Sequence, residues 1–201
     1  MIKNIIFDFG GVLVDWNPQY LYEKLFEDEA EMQNFLNTIC TSDWNEQQDE
    51  GRTLEEGTAI LVNRHPGQKE LIEAYYSRWE EMLAGPIEGT VNIFKKLKQT
   101  DRYKFFGLTN WSAETFPIAL RRFDFFQLFD GILVSGTEKM RKPHPAFFQL
   151  LLDRYHLLAE ECLFIDDNQR NTDAAIAFGI PSITFENPDH LRKELTRLKI
   201  D

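Results

Sequence analysis

The spacing of apolar positions changes twice along the chain. Ile5-Ile6-Phe7 is a short continuous apolar run that ends at Asp8 and is followed by the pair Gly10-Gly11, the pattern of a buried strand running into a tight turn. From Trp16 to about Gly85 the spacing becomes helical. Tyr20, Leu21, Leu25 and Phe26 follow Pro18, and Met32, Phe35, Leu36 and Ile39 mark a helix over residues 29–39. Thr53 and Glu56 have the spacing of a capping box for a helix over 54–62, and Leu71, Ile72, Tyr75, Trp79 and Leu83 place another over 68–83. A small helical bundle without strands is expected here.

From Pro86 onward apolar strands alternate with amphipathic helices. Strands are expected over 103–108, 131–134, 162–165 and 180–185. Helices are expected over 88–99, 112–123 with Ser112 as N-cap, 145–155 with Pro145 at its start, 172–178 closed by Gly179, and 191–198. Such alternation predicts an α/β fold with a parallel, Rossmann-like sheet covered on both faces. The opening strand joins that sheet, so residues 1–15 and 86–201 form the core and residues 16–85 an inserted helical cap.

Composition narrows the function. Among 201 residues 43% are hydrophobic, including 17 Phe, enough to build a core, and no internal repeat is visible. A formal net charge of −11 without a basic stripe argues against nucleic acid or an anionic membrane surface as partner. Cys40 and Cys162 match no metal-ligand spacing and read as buried thiols in a reducing compartment. Met1-Ile2-Lys3-Asn4 runs straight into the first strand and no apolar run has the length of a membrane span, so a cytoplasmic protein is expected.

Ligands of open parallel sheets bind beyond the carboxyl ends of the strands. Here those ends carry Asp8, Thr109-Asn110 and Asp166-Asp167-Asn168. Three carboxylates gathered there repel one another, which either keeps some protonated or calls for a divalent cation; the cation costs less. Lys142, in the loop Met140-Arg141-Lys142-Pro143-His144-Pro145, is placed near the same crevice, where its ammonium would hold an anion against Asp8. Trp16 and Trp111 either line the pocket between cap and core or simply pack; Trp44 reads as packing. Asp15 reads as a brace for the turn, His144 as a solvated loop residue, and Arg52 and Arg141 as surface or helix-end charges.

These four stretches resemble the motifs of the haloacid dehalogenase superfamily with a helical cap of the first type. Asp8-Phe9-Gly10-Gly11-Val12-Leu13-Val14-Asp15 is similar to its first motif, Thr109 to its second, Lys142 to its third and Asp166-Asp167 to its fourth. The resemblance implies an aspartyl-phosphate mechanism with Asp8 as nucleophile. It implies Mg²⁺ held by Asp8, Asp167, Asp166 directly or through water, and the Gly10 carbonyl. Thr109, Asn110 and Lys142 are implied to bind the phosphate of a small phosphorylated metabolite.

One departure matters. Most phosphatases of the superfamily carry a second aspartate two residues after the nucleophile, as acid and base; here that position is Gly10. The chain is similar in this respect to a subgroup with an Asp-x-Gly-x-Val opening that is associated with sugar 1-phosphates, whose leaving groups need less protonation. Two alternatives stay open: a metal-independent 2-haloacid dehalogenase, and a non-catalytic module that binds a phosphometabolite.

Overall fold

The computed structural model describes residues 1–200. Its centre is a five-stranded parallel sheet made of β1 (Asn4–Phe7), β4 (Lys104–Thr109), β5 (Gly131–Val134), β6 (Cys162–Asp166) and β7 (Ser182–Thr184), in the order β5-β4-β1-β6-β7. Alternation along β1 sends Ile5 and Phe7 into one hydrophobic cluster and Ile6 into another on the opposite face. The first face is covered by α6 (Glu88–Lys98), α7 (Phe116–Arg122) and α11 (Pro188–Arg197), which contribute Phe94, Phe116 and Leu191. After the single turn α8 (Ser135–Glu138) that follows β5, the second is covered by α9 (Pro145–Tyr155) and α10 (Gln169–Ala177) through Phe147, Phe148 and Ala175. The chain moves outward from β1 to β4 and β5 on one side and is continued by β6 and β7 on the other. The carboxyl end of β1 is therefore the switch point of the sheet.

Between β1 and α6 lie the helices of the cap: α1 (Gln19–Tyr22), α2 (Glu29–Thr38), α3 (Ser42–Asp49), α4 (Leu54–Arg64) and α5 (Lys69–Ser77). The capping box at Thr53 and Glu56 is formed in full. The bundle is not strand-free, however. Before it comes β2 (Val14–Trp16) and after it β3 (Leu83–Pro86), and the two pair antiparallel. The expected helix over 68–83 stops at Ser77, turns through a 3₁₀ segment Trp79–Met82 and becomes strand, with Gly85 at φ +156°. Strands of three and four residues are too short to show an alternation, which is why none is expected from the sequence. The expected limits of the cap, 15/16 and 85/86, fall inside this ribbon.

Two further differences bear on the site. α3 was not foreseen, because SDWNEQQD holds only one apolar residue, Trp44; its start is set by Thr41, whose Oγ1 accepts from the Trp44 N–H at 3.1 Å. The helix expected from Ser112 begins at Phe116. Ser112 instead closes a turn, its Oγ accepting from the Glu114 N–H at 3.2 Å and its carbonyl from the Phe116 N–H at 3.0 Å. A loop six residues long, 110–115, is thereby left along the rim of the crevice.

Candidate active site

The loop after β1 is shaped by its backbone. The Phe9 carbonyl accepts from the Leu13 and Val14 N–H groups, each at 2.8 Å, and the Gly11 N–H donates to the Val14 carbonyl at 2.9 Å. Gly11 has φ +71°, and a Cβ there would run into the Asp167 carboxylate. Gly10 differs: a Cβ built on it meets nothing within 4 Å, so the site of the absent aspartate has room for a side chain.

The strand ends bring the expected residues together. One carboxylate oxygen each from Asp8, Asp166 and Asp167 lie within 4.8 Å of one another. The buried Lys142 Nζ stands 2.9 Å from Asp8 Oδ1 and 2.7 Å from Asp166 Oδ2. Its loop is fixed by a reciprocal pair with Asn110, whose Nδ2 donates to the Lys142 carbonyl at 3.0 Å and whose Oδ1 accepts from the Lys142 N–H at 2.9 Å. Asp166 is wholly buried and engaged by donors: the Lys142 ammonium, the Asn168 N–H at 2.8 Å, and the Asn171 amide at 3.1 Å. Thr109 is fully buried and its Oγ1 has no hydrogen-bond partner. The Trp16 Nε1 is also buried and unpartnered. Such orphans are rare enough to point to a ligand.

Charge in the cluster is unbalanced. Burial pushes the Asp8 carboxyl above its ordinary range; the Lys142 ammonium pulls it down, and Asp166 and Asp167 push it further up. Asp167 is raised by burial and by Asp166. Burial alone would lower Lys142, but Asp166 and Asp8 hold it above its usual value. Three carboxylates against one ammonium suit a divalent cation, and the oxygen donor set is the one hard cations take.

Beside this cluster lies a cavity walled on the core side by Gly10, Asn110, Trp111, Ser112 and Thr115, and elsewhere by Trp16, Asn45, Asp49, Tyr76 and Trp79. Trp16 and Trp111 thus line the pocket while also packing, Trp111 against Trp79 at 5.7 Å between ring centroids. Trp44 packs on Tyr75 and Tyr76 and donates to the Gly57 carbonyl at 3.0 Å, as expected for a structural residue. Asp49 was not anticipated. It ends α3, and burial pushes its carboxyl up to about 7, with the Ser112 backbone N–H and Arg141 pulling down and Glu46 pushing up.

Several minor expectations change. Arg141 is not a simple surface charge: it joins core to cap through Glu46 at 2.8 Å and Glu50 at 3.2 Å. Arg52 is packed into the cap, donating to Gln48 Oε1 at 2.5 Å and to the Trp44 carbonyl at 3.1 Å. His144 caps α9, its Nδ1 accepting from the Ala146 N–H at 3.3 Å. Asp15 accepts from the Tyr20 hydroxyl at 2.9 Å and braces the ribbon. Cys40 and Cys162 are buried free thiols. Among the described residues no helix is long and apolar enough to cross a membrane.

Fold and site together set a cluster of carboxylates and a lysine at the carboxyl edge of a parallel sheet beneath a helical cap. The chain belongs to the haloacid dehalogenase-like hydrolases, whose family profile matches residues 5–185. It is similar to a sesquiterpene phosphatase of Aspergillus oryzae, with 30% identity over 89% of this chain and 87% of that protein. A drimenol cyclase of Aspergillus calidoustus is 26% identical over 98% of this chain, which spans only 37% of the cyclase. A D-ribitol-5-phosphate phosphatase of Bacteroides thetaiotaomicron is 23% identical over 98% of both chains. Among solved structures, a haloacid dehalogenase family enzyme of the same bacterium, complexed with magnesium and inorganic phosphate, shares the fold with a TM-score of 0.71. It is 21% identical, over 93% of this chain and 95% of that one.

Proposed function

We propose that this protein is a Mg²⁺-dependent phosphatase that hydrolyses a small phosphate monoester through a phosphorylated Asp8. The observation that carries the reading is the placing of Lys142 Nζ 2.9 Å from Asp8 Oδ1 inside a converging set of three carboxylates. The ammonium keeps one Asp8 oxygen oriented while the carboxylate attacks phosphorus; water then hydrolyses the aspartyl phosphate. Thr109 Oγ1, Asn110 and Lys142 serve the phosphate oxygens, where negative charge spreads in the transition state. Asp8 and the exposed Asp167 would hold Mg²⁺, which when bound neutralises phosphate charge. Asp166, already engaged by Lys142, Asn168 and Asn171, acts mainly by positioning the lysine.

For the organic part of the substrate a sugar phosphate, such as a sugar 1-phosphate, suits Gly10, and the relative named for D-ribitol 5-phosphate supports a phosphorylated polyol or sugar. The rings of Trp16, Tyr76, Trp79 and Trp111 around the cavity favour a second reading, the phosphate of an apolar alcohol. The pair Asp166-Asp167 weighs against a metal-independent dehalogenase, which has no use for a cation site. The deciding experiment is phosphate release from sugar phosphates, isoprenoid phosphates, nucleotides and acyl phosphates, with and without Mg²⁺, beside Asp8→Asn. Hydrolysis that needs both Mg²⁺ and Asp8 is expected. Silence across the panel with Mg²⁺ present would leave a binding module, and halide release that survives a chelator would restore the dehalogenase.

A further inference from the structure

Phosphoryl transfer to Asp8 leaves one chemical role without a residue in the core. The departing alkoxide needs a proton, and the water that later attacks the aspartyl phosphate must lose one; Gly10 has no side chain for either task. The cavity beside the cluster holds one carboxylic side chain, and it comes from the cap. Asp49 shares that cavity with Gly10, in the loop that follows Asp8, and with Asn110, next in sequence to Thr109.

Asp49 is held by both halves of the molecule. Its backbone carbonyl accepts from the Ser135 hydroxyl of the core, whose Oγ in turn accepts from the Trp111 N–H at 2.9 Å. Its Oδ2 accepts from Asn45 Nδ2 at 2.9 Å; Asn45 Oδ1 accepts from the Tyr76 hydroxyl at 2.9 Å, and that hydroxyl accepts from Gln48 Nε2 at 2.8 Å. A chain of neutral partners therefore fixes the carboxyl without an ion pair of its own. The groups around it are Glu46 on the same helix, Tyr75 and Tyr76 on α5, and the Ser112 N–H and Arg141 from the core. As the last residue of α3 it also faces the negative end of the helix dipole. Burial and helix end both favour the protonated form near neutral pH, the state in which a general acid begins its work.

We propose that Asp49 is the catalytic acid and base of this enzyme, delivered by the cap in place of the side chain absent at Gly10; this rests on the phosphatase reading. In the first half-reaction an Asp8 oxygen bonds to phosphorus, the ester P–O bond breaks, and the Asp49 proton passes to the departing oxygen to give a neutral alcohol. In the second, the oxygen of water bonds to phosphorus and the Asp8–phosphorus linkage breaks. The proton of that water returns to Asp49, and inorganic phosphate leaves with both side chains restored.

The test is the burst of alcohol release on rapid mixing, measured for the native protein and Asp49→Asn with an alkyl phosphate and with p-nitrophenyl phosphate. The latter's leaving group needs no proton. In Asp49→Asn the alkyl burst rate is expected to fall by roughly 10²- to 10⁴-fold, and the nitrophenyl burst at least tenfold less. Slow loss of the second proton then makes the phosphorylated Asp8 accumulate, visible as one nitrophenol per protein before a slow steady state. Gly10→Asp in the Asp49→Asn background, for which the structure has room, should recover part of the alkyl rate. An equal loss on both substrates, with no burst and no recovery, would overturn the proposal and leave Asp49 a structural residue. A native protein that releases no phosphate from any substrate would instead sink the phosphatase reading itself.

Discussion

The two walls of the cavity are made on different principles. On the core side Asp8, Thr109, Lys142 and Asp166 are set by sheet register and by one another. The lysine spans two carboxylates at 2.9 and 2.7 Å, and its loop is locked to Asn110. On the cap side Trp79, Tyr76 and Asp49 stand on helices tied to the core by partly exposed ion pairs, Glu46 to Arg141 at 2.8 Å and to Arg170 at 3.2 Å. Exposed pairs of this kind are worth about 1 kcal/mol or less each, whereas breaking a buried one costs roughly 3–5 kcal/mol. A wall fixed by buried ion pairs thus faces a wall whose ion pairs to the core are partly exposed.

Substitutions can break this contrast, beginning with the core. Asp8→Asn removes the proposed nucleophile, and steady-state phosphate release should fall on the order of 10⁴-fold or more on every substrate. Lys142→Met leaves Asp8 and Asp166 buried without a counter-charge. Its urea midpoint should report a loss of roughly 3–5 kcal/mol, and turnover should fall on the order of 10²-fold or more. Gly11→Ala pushes against Asp167 from a left-handed backbone position, so the Mg²⁺ concentration for half-maximal activity should rise about 10- to 100-fold.

Apart from the acid and base role proposed for Asp49, the cap wall should answer more gently, in stability and KM. Asp49 has its folded pKa raised to about 7 from an ordinary 3.8, so the folded chain keeps a proton that the unfolded chain has released. Its contribution to stability is complete below the unfolded value and fades as pH rises through about 7. Denaturation midpoints of Asp49→Asn should therefore decline less between pH 4 and 7 than those of the native protein; parallel profiles would show that the group does not titrate there. Glu46→Gln cuts two of the cap's ties, and KM should rise about two- to fivefold with kcat nearly kept, more so at low salt. A loss in kcat as large as that of Lys142→Met would erase the distinction between the walls.

The same contrast decides what could be read from the chain. Asp8, Thr109 and Asp166 can be picked out because a run of Ile, Leu and Phe leads directly to each strand-end carboxylate or hydroxyl and parallel strands share an edge, whereas Lys142 is placed only by its loop ahead of α9. The elements around Asp49 give no such signal. α3 buries only Trp44 and Gln48 and has no apolar stripe, so the helix went unseen and with it the carboxyl it carries. Ser112 was noticed as a helix start, but Pro117 and the turn before it move the helix to Phe116 and leave the serine on the cavity rim. Side chains that meet across the gap between cap and core have no periodicity in the sequence, since neither element carries a record of the other.

The ribbon of β2 and β3 gives the cap a particular mechanics. Both chain crossings lie within it, bonded to each other, and it is secured at the core end by the Ile87 N–H donating to the Leu13 carbonyl at 2.8 Å and at the cap end by the Asn17 N–H donating to the Met82 carbonyl at 2.9 Å. Two separate tethers would let the cap wander and roll; a single bonded strip flexes about one axis. Any opening of the cap about that axis would carry Asp49 along one arc, so that its return to the cavity would be a matter of timing rather than of search.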